Sequence, residues 1–488
     1  MSQTADATRT AAPAGGHRPA PGRNQRLTKR KRVAEILRRV LEGSVADETE
    51  LVWFERRHGE ATTAGASNLE SPRVTVLVRV VQGGRLGWHR TDVTDPAMLE
   101  GAVRHALAVA TAQPRTVKGR LFPKPDDGET GDGDGKGPEE TAGVASSPPG
   151  PPIRDRAIET LDAAGAAELL AGWCGGEAGG RLHFSRTHLA VWNSHGLRRH
   201  AASTEVTLDV TVGDGAGRGF AAASARTLEA LRAEDVVGRA RERAAGDGIS
   251  GVADAPTGPV TAVLSPEAVI ELLDIANAFA FAGRAYLDGS SFLAQHRGVQ
   301  VFDRAVHVRD DAGRTPGMPF PFDLEGVTKR PVDLIVEGST STPALNQAQG
   351  GAAGLEPTGQ SVGGEDAMFG NLFVLPGHQD LAELLREADG GLFIAHLDRP
   401  ECHDPKRLGI RVVARGVRRI EGGRPATPLP DLVWETSLLV TFARVAGIGR
   451  HPVVRAMPST PLGGICAPAF ALTNADGFTP LVDASTAE

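Results

Sequence analysis

The sequence predicts an α+β protein in two domains, an amino-terminal α/β domain over residues 26–255 and a β-rich carboxyl-terminal domain over 256–488. Three observations lead there. The 488 residues exceed what one ordinary core organises, so more than one is the default. The composition is that of a globular chain, 40% hydrophobic and 23% charged, while 60 Gly and 33 Pro demand many turns. Helical apolar spacing marks several segments of the first half, whereas the chain after Pro259 is mainly short apolar runs between glycine turns.

Residues 1–25 hold Ala12-Pro13-Ala14-Gly15-Gly16 and too little apolar surface to offset ordering, so a disordered tail is expected. From Leu27 to Leu41 the apolar positions Val33, Ile36, Leu37 and Val40 fall at helical spacing, with Lys29-Arg30-Lys31-Arg32 beside them. That basic run reads as the solvated face of an amphipathic helix, because no aromatic or Gly-rich partner accompanies it. Leu51–Phe54, Arg73–Val81 and Leu86–Thr91 read as strands, the second alternating through Val74, Val76, Val78 and Val80. Asp95-Pro96 is an N-cap followed by a first-turn proline, opening a helix whose apolar face holds Leu99, Val103, Ala106 and Ala110. Residues 123–152, with Asp132-Gly133-Asp134-Gly135 and Ser146-Ser147-Pro148-Pro149, form a low-complexity disordered linker within the amino-terminal domain. Beyond it come a helix over Ala163–Ala171 and strands over Arg181–Arg186, Leu189–Asn193, Arg198–Val212 and Gly219–Ala225. A helix over Glu229–Ala245 then leads to a domain boundary near Gly246–Gly258.

The bulk numbers exclude several functions. A net charge of −7 argues against a protein that coats nucleic acid, since that affinity comes from many contacts of Lys and Arg with phosphate. Only seven of the 53 basic residues are Lys. Cys174, Cys402 and Cys466 form no C-x-x-C pair, so neither a disulfide framework nor a zinc ribbon is encoded. With no apolar leader and no run long enough to cross a bilayer, a cytoplasmic location without membrane contact is the expectation.

Val260–Leu264 reads as a strand, Ser265-Pro266 as a cap with a first-turn proline, and Glu267–Phe281 as a helix. Then follow Gly289-Ser290-Ser291, Val308-Arg309-Asp310-Asp311, Pro321-Phe322-Asp323-Leu324-Glu325-Gly326, Pro357-Thr358-Gly359-Gln360, Asn371-Leu372-Phe373-Val374-Leu375-Pro376-Gly377 and Ile420-Glu421-Gly422-Gly423. In this order the segments resemble the TldD/PmbA family, also known as modulators of DNA gyrase. Its pattern has a G-x-S segment, a strand ending in D-D, a P-F-D-x-E-G turn, an N-L-x-V-x-P-G segment and an I-E-x-G turn. Upstream, Asn193-Ser194-His195-Gly196 and Gly83-Gly84-Arg85-Leu86-Gly87 match further short motifs, so the likeness runs over about residues 30–475.

The resemblance implies a barrel-like mixed sheet in the carboxyl-terminal domain. It also implies a functional contrast. In the family's catalytic branch an H-E-x-x-x-H motif on the helix opening at Pro266 holds zinc, the imidazoles binding the metal and the Glu taking a proton from its water. Here that register reads Pro266-Glu267-Ala268-Val269-Ile270-Glu271, with only the Glu kept. The family's further ligand is a Cys near the carboxyl terminus, but Cys466 lies later than that place. The chain is therefore expected to be a TldE/PmbA-like, non-catalytic subunit with no cofactor of its own. Its expected partner is a TldD-like H-E-x-x-x-H subunit that carries the zinc, a homodimer being an alternative, and its substrate an extended peptide. Ser290, Ser291, Asp310, Asp311, Phe322, Asp323, Glu325 and Gly326 are the family-motif residues that would line a peptide channel.

Other arrangements were weighed on chemistry. Glu267 and Glu271 share a helix face and could hold a hard cation, although surface carboxylates so spaced are usually solvated. His396, Cys402, His403 and Cys466 could form a scattered N/S metal site. An independent metallopeptidase or hydrolase with a non-standard site, and a gyrase-associated or nucleic-acid-binding regulator, are the alternative functions; no G-x-S-x-G elbow supports a serine hydrolase.

Overall fold

The structure is a computed structural model that describes residues 27–117, 119–125, 153–244, 254–363 and 366–481. The expected tail 1–25 and, beyond residue 125, the expected linker lie outside the described residues.

The amino-terminal domain is built on one antiparallel sheet of β1 (Glu48–Thr62), β2 (Ser67–Leu69), β3 (Arg73–Gln82), β4 (Arg85–Thr91), β5 (Ala178–Asn193), β6 (Arg198–Val212) and β7 (Gly219–Ala225). The order is β4-β3-β1-β5-β6-β7, with β2 on β1. Side chains alternate between faces along each strand, and the two faces have different fates. Leu51, Trp53 and Ala190 meet α1 (Arg30–Glu42) and α2 (Pro96–Ala112) at one end of the first face. After α3 (Arg156–Thr160), helix α4 (Ala163–Cys174) covers the other end with α6 (Ala233–Arg243), against Leu182, Phe184 and Leu208. On the second face Val52, Leu189 and Val191 pack against Phe320, Phe322 and Leu462 of the carboxyl-terminal domain.

Helix α1 buries Val33, Ile36, Leu37 and Val40 while Lys29 to Arg32 stay exposed, as the amphipathic reading requires. Asp95 caps α2 by accepting the Ala97 and Met98 N–H groups. Three boundaries differ from expectation. Leu51–Phe54 is the middle of a longer β1, because β3 and β5 flank it on both sides and extend it. Arg181–Arg186 and Leu189–Asn193 are one continuous strand, β5, paired along β6 without a break. The expected helix Glu229–Ala245 is two, α5 (Leu228–Leu231) and α6, because Arg232 turns the chain at φ 50°.

In the carboxyl-terminal domain β8 (Val260–Leu264) runs parallel to Leu392–Ile394 and antiparallel to Phe470–Ala475 within a six-stranded mixed sheet. A second six-stranded sheet holds Val308–Asp310, Asn371–Val374, Gly464–Ala467 and Val453–Arg455, and a four-stranded sheet holds His396–Asp404, Gly409–Arg415, Leu432–Ser437 and Phe478–Pro480. All three share one core around α7 (Pro266–Ala276), where Ala268, Leu272 and Ala276 meet Leu264, Ile394, Leu372, Ile465, Val412 and Trp434. The α+β class holds, and the curved enclosure is made by three open sheets wrapped on one helix. Ser265 starts that helix by accepting the Ala268 N–H, and Pro266 fills a first-turn position where no N–H is needed. Among the described residues no helix is long and apolar enough to cross a membrane.

Candidate functional site

Helix α7 enters where the edge of the amino-terminal sheet meets the carboxyl-terminal domain, so its first turns carry the positions of interest. Glu267 is fully buried, and Glu271 stands one turn further along the same face. The expectation that this pair is solvated does not hold. Glu267 accepts the Ala222 N–H at 3.2 Å and pairs with Arg243 at 2.9 Å and Arg239 at 3.6 Å. Glu271 pairs with Arg455 at 2.6 Å and accepts the Leu397 N–H at 2.5 Å. Arg455 also lies 3.6 Å from Asp209 of β6 and over the ring of Phe220.

Glu267 and its two arginines have a further role in the sheet. β7 is an end strand, and its outward backbone groups would otherwise lack partners. Glu267 takes the N–H of Ala222, Arg239 donates to the Ala222 carbonyl at 3.3 Å, and Arg243 donates to the Phe220 carbonyl at 2.8 Å. Side chains thus occupy the edge positions that an added strand would use.

Burial pushes the Glu267 carboxyl up, but Arg243, Arg239 and the N–H bonds outweigh it and hold it below the ordinary range. At Glu271 burial prevails over Arg455 and the Leu397 N–H and lifts the carboxyl to about 7. Arg455 is held above its ordinary value: burial opposes its charge, but Glu271 and Asp209 more than compensate. Buried oxygens of Asp209 and Glu267 and the Nε atoms of Arg239 and Arg455 lack hydrogen-bond partners among the described residues. Such leftover capacity is costly in an interior and marks the region as polar beyond what packing needs.

This donor set does not fit zinc. The two positions flanking the retained Glu carry a proline and a carboxylate, and guanidinium groups occupy the space around the carboxylates. Among the described residues no three His, Cys, Asp or Glu side chains gather as a metal-ligand set. His396 sits at the start of the strand His396–Asp404, and Cys402 and His403 are near its end. His403 faces Glu435 at 4.0 Å, and Cys466 is buried opposite Val454 with its thiol pushed up to about 12 by burial. The four are not brought together.

The motif residues are spread over the carboxyl-terminal domain, and those of the P-F-D-x-E-G turn reach the amino-terminal sheet. Ser291 is buried, donating to the Ala280 carbonyl and accepting the Leu293 N–H, while Ser290 donates to the Ala285 carbonyl at 3.3 Å. Asp310 accepts from Gly370, Asn371 and the Gln360 side chain, and Asp311 accepts the Gly313 N–H. In the P-F-D-x-E-G turn Phe322 packs edge-on to Phe320 at 5.6 Å. Asp323 accepts the N–H groups of Glu325, Val327 and Ser361. Gly326 has φ +73°, and a Cβ there would stand 2.5 Å from Leu197 Cδ2, so glycine is required twice over.

Glu325 reaches across the domains to Arg79 at 2.7 Å, and Arg79 also pairs with Glu50 of β1. One guanidinium serves two buried carboxylates. Burial and the nearby Glu325 charge lift Glu50 to about 8 against the pull of Arg79. Arg226 adds a further clamp, donating to the carbonyls of Pro319, Met318 and Leu462 while facing Glu205 at 3.8 Å. The arginines 79, 226, 239, 243 and 455 carried no sequence signal, since each stands outside any motif in a chain where Arg is the ordinary base.

Comparison with known proteins agrees with this architecture. Residues 257–476 match the model of the PmbA/TldA metallopeptidase C-terminal domain. The carboxyl-terminal domain thus matches that of the TldD/PmbA family. A metalloprotease of Methanothermobacter thermautotrophicus is 25% identical over 273 residues, 53% of this chain and 59% of that protein. The chain therefore spans less than two thirds of that relative's length. TldE from Thermococcus kodakarensis superposes with a TM-score of 0.73 at 19% identity, covering 91% of this chain and 99% of that one. A putative modulator of DNA gyrase from Thermotoga maritima superposes at 0.71 and 19% identity over 90% and 98% of the two chains. A second such protein, from Bacteroides thetaiotaomicron, gives 0.70 and 16% over 92% and 98%. At these identities the structural likenesses establish the shared fold.

Proposed function

We propose that this TldD/PmbA-family chain is the non-catalytic, TldE-like subunit of a cytoplasmic metalloprotease complex that handles unfolded or extended peptides. Its partner would be a TldD-like chain with an intact H-E-x-x-x-H motif, which supplies the zinc and the activated water. The observation that carries this reading is the state of the motif positions. Glu267 and Glu271 are paired with Arg243, Arg239 and Arg455, and neither of the motif's two imidazole positions, Pro266 and Glu271, carries a His. A carboxylate paired with buried arginines is a poor proton acceptor for a metal-bound water and leaves no place for the metal. In this chain the helix instead joins two domains whose interface runs along the second face of the sheet.

The test is direct. The isolated chain should purify without stoichiometric zinc and should not cleave a denatured, fluorescently labelled protein, whereas adding an H-E-x-x-x-H relative from the same host should give cleavage. One zinc per isolated chain together with cleavage would replace this reading with an independent metallopeptidase. Salt-sensitive DNA or gyrase binding without any peptide activity of the pair would favour the regulator suggested by the name of the Thermotoga relative.

A further inference from the structure

A cavity of about 350 Å³ opens beside the second carboxylate of the degenerate motif, lined by Thr211, Arg218 and Phe220 from the amino-terminal domain and His396, Asp398 and Arg415 from the carboxyl-terminal one. It adjoins the motif through the chain itself, since Glu271 holds the N–H of Leu397, the residue after His396. The rings of Phe220 and His396 stand 4.1 Å apart between centroids. Neither nitrogen of His396 has a hydrogen-bond partner among the described residues, and the residue is half-buried. An imidazole without a partner at a cavity wall is capacity that the fold leaves unused.

Among the residues lining the cavity two guanidiniums, Arg218 and Arg415, stand against one carboxylate, Asp398. Arg218 donates to Asp431 at 3.3 Å through a single Nη, leaving its other N–H groups without a partner among the described residues. Arg415 is shared between Asp398 and Asp431. Arg455 stands behind Phe220, bound to Glu271 and close to Asp209. Around His396 the guanidiniums of Arg455, Arg218 and Arg415 stand among the carboxylates of Asp398, Asp431, Glu271 and Asp209, and burial together with the three guanidiniums pushes its imidazole down to about 4.

We propose that this cavity is a subsite for a peptide carboxylate, either the terminal group or an acidic side chain, bound by Arg218 and His396 with the neighbouring carbon stem against Phe220. A carboxylate placed here would give the free N–H groups of Arg218 an ionised acceptor, the arrangement that makes strong charge-assisted bonds. It would also favour protonation of His396, so that binding is accompanied by proton uptake. The site places a recognition element for the peptide in the subunit that lacks the zinc motif, and in that sense it rests on the peptide-handling role proposed above.

The experiment is calorimetric titration of the full chain near pH 6 with trialanine, trialanine amide and N-acetyl-aspartyl amide, repeated in two buffers of different ionisation enthalpy. The expected result is binding of at least one carboxylate probe, with trialanine amide at least about tenfold weaker. Tighter binding of trialanine assigns the terminal carboxylate, and tighter binding of the aspartyl probe assigns an acidic side chain. Arg218→Gln should weaken the preferred probe by about tenfold or more, and His396→Gln should abolish the buffer-dependent heat. Arg218 is partly exposed, so a thermal melt matching the parent shows that its variant is folded. Equal binding of acid and amide, no binding of any probe, or an Arg218→Gln variant that binds as before would overturn the subsite. Because the assay uses the chain alone, its failure leaves the partner-subunit reading standing, and absence of a partner leaves this result standing.

Discussion

The amino-terminal sheet meets the carboxyl-terminal domain through two sets of buried ion pairs, and they are built on opposite terms. At Glu50, Arg79 and Glu325 a single guanidinium answers two carboxylates, so acid is in excess and Glu50 is lifted to about 8. At Glu267, Glu271 and Asp209 three guanidiniums, Arg239, Arg243 and Arg455, face three carboxylates. The first set joins the sheet to the P-F-D-x-E-G turn. Each set keeps buried polar atoms without a hydrogen-bond partner among the described residues, Glu50 Oε2 in the first and the Nε atoms of Arg239 and Arg455 in the second, and the second lies beside an open cavity. The lesson is that a buried ionic cluster in this fold can be a fastener or a site, and adjoining space, not leftover hydrogen-bonding capacity, separates the two.

Breaking the fastener should have the largest effect. Arg79→Ala leaves Glu50 and Glu325 without their cation and is expected to cost about 3–5 kcal/mol, read as a lower midpoint in urea unfolding. A cost within error of zero would show that this ion-pair set is not a fastener. The excess acid predicts a pH dependence next. Glu50 is raised above its ordinary value, so between about 4.5 and about 8 the folded state holds a proton that the unfolded state has lost, and stability falls as pH rises through that window. Glu271 and Asp323, each raised to about 7, add the same sign up to that pH. Glu50→Gln should therefore flatten the decline by a few kcal/mol without abolishing it; an unchanged slope in urea midpoints from about pH 5 to about pH 9 would contradict the assignment.

At the second set the expected change is smaller. Glu267→Gln keeps the shape and an acceptor for the Ala222 N–H but uncouples Arg243 and Arg239, for an expected loss of about 1–3 kcal/mol by thermal unfolding. A neutral result would mean that the arginines find other partners at the β7 edge. The smallest effect belongs to His403→Ala, whose side chain is exposed and only 4.0 Å from Glu435: stability should shift by less than about 0.5 kcal/mol, and activity of the assembled pair should be unchanged.

What the sequence showed and what it hid divide by range along the chain. Helix α7 was legible because Ser265 and Pro266 write its start locally, and the P-F-D-x-E-G turn because Asp323 caps its own loop. The partners of both were not. Arg79 meets Glu325 across 246 residues and Arg455 meets Glu271 across 184, pairings that leave no periodicity or spacing to read. The solvated reading of Glu267 and Glu271 failed for the same reason, since burial came from β7, α6 and the strand Val453–Arg455, none of which is local to the helix. The break at Arg232 was missed because the αL turn falls on an arginine, where no glycine announces it.

The central claim, that this chain works as one half of a pair, is tested most directly by isolating it gently from its native host with a tag and identifying by mass spectrometry whatever co-elutes. The account predicts an H-E-x-x-x-H relative in near-equal amount. Elution alone, or only with further copies of itself, would contradict it.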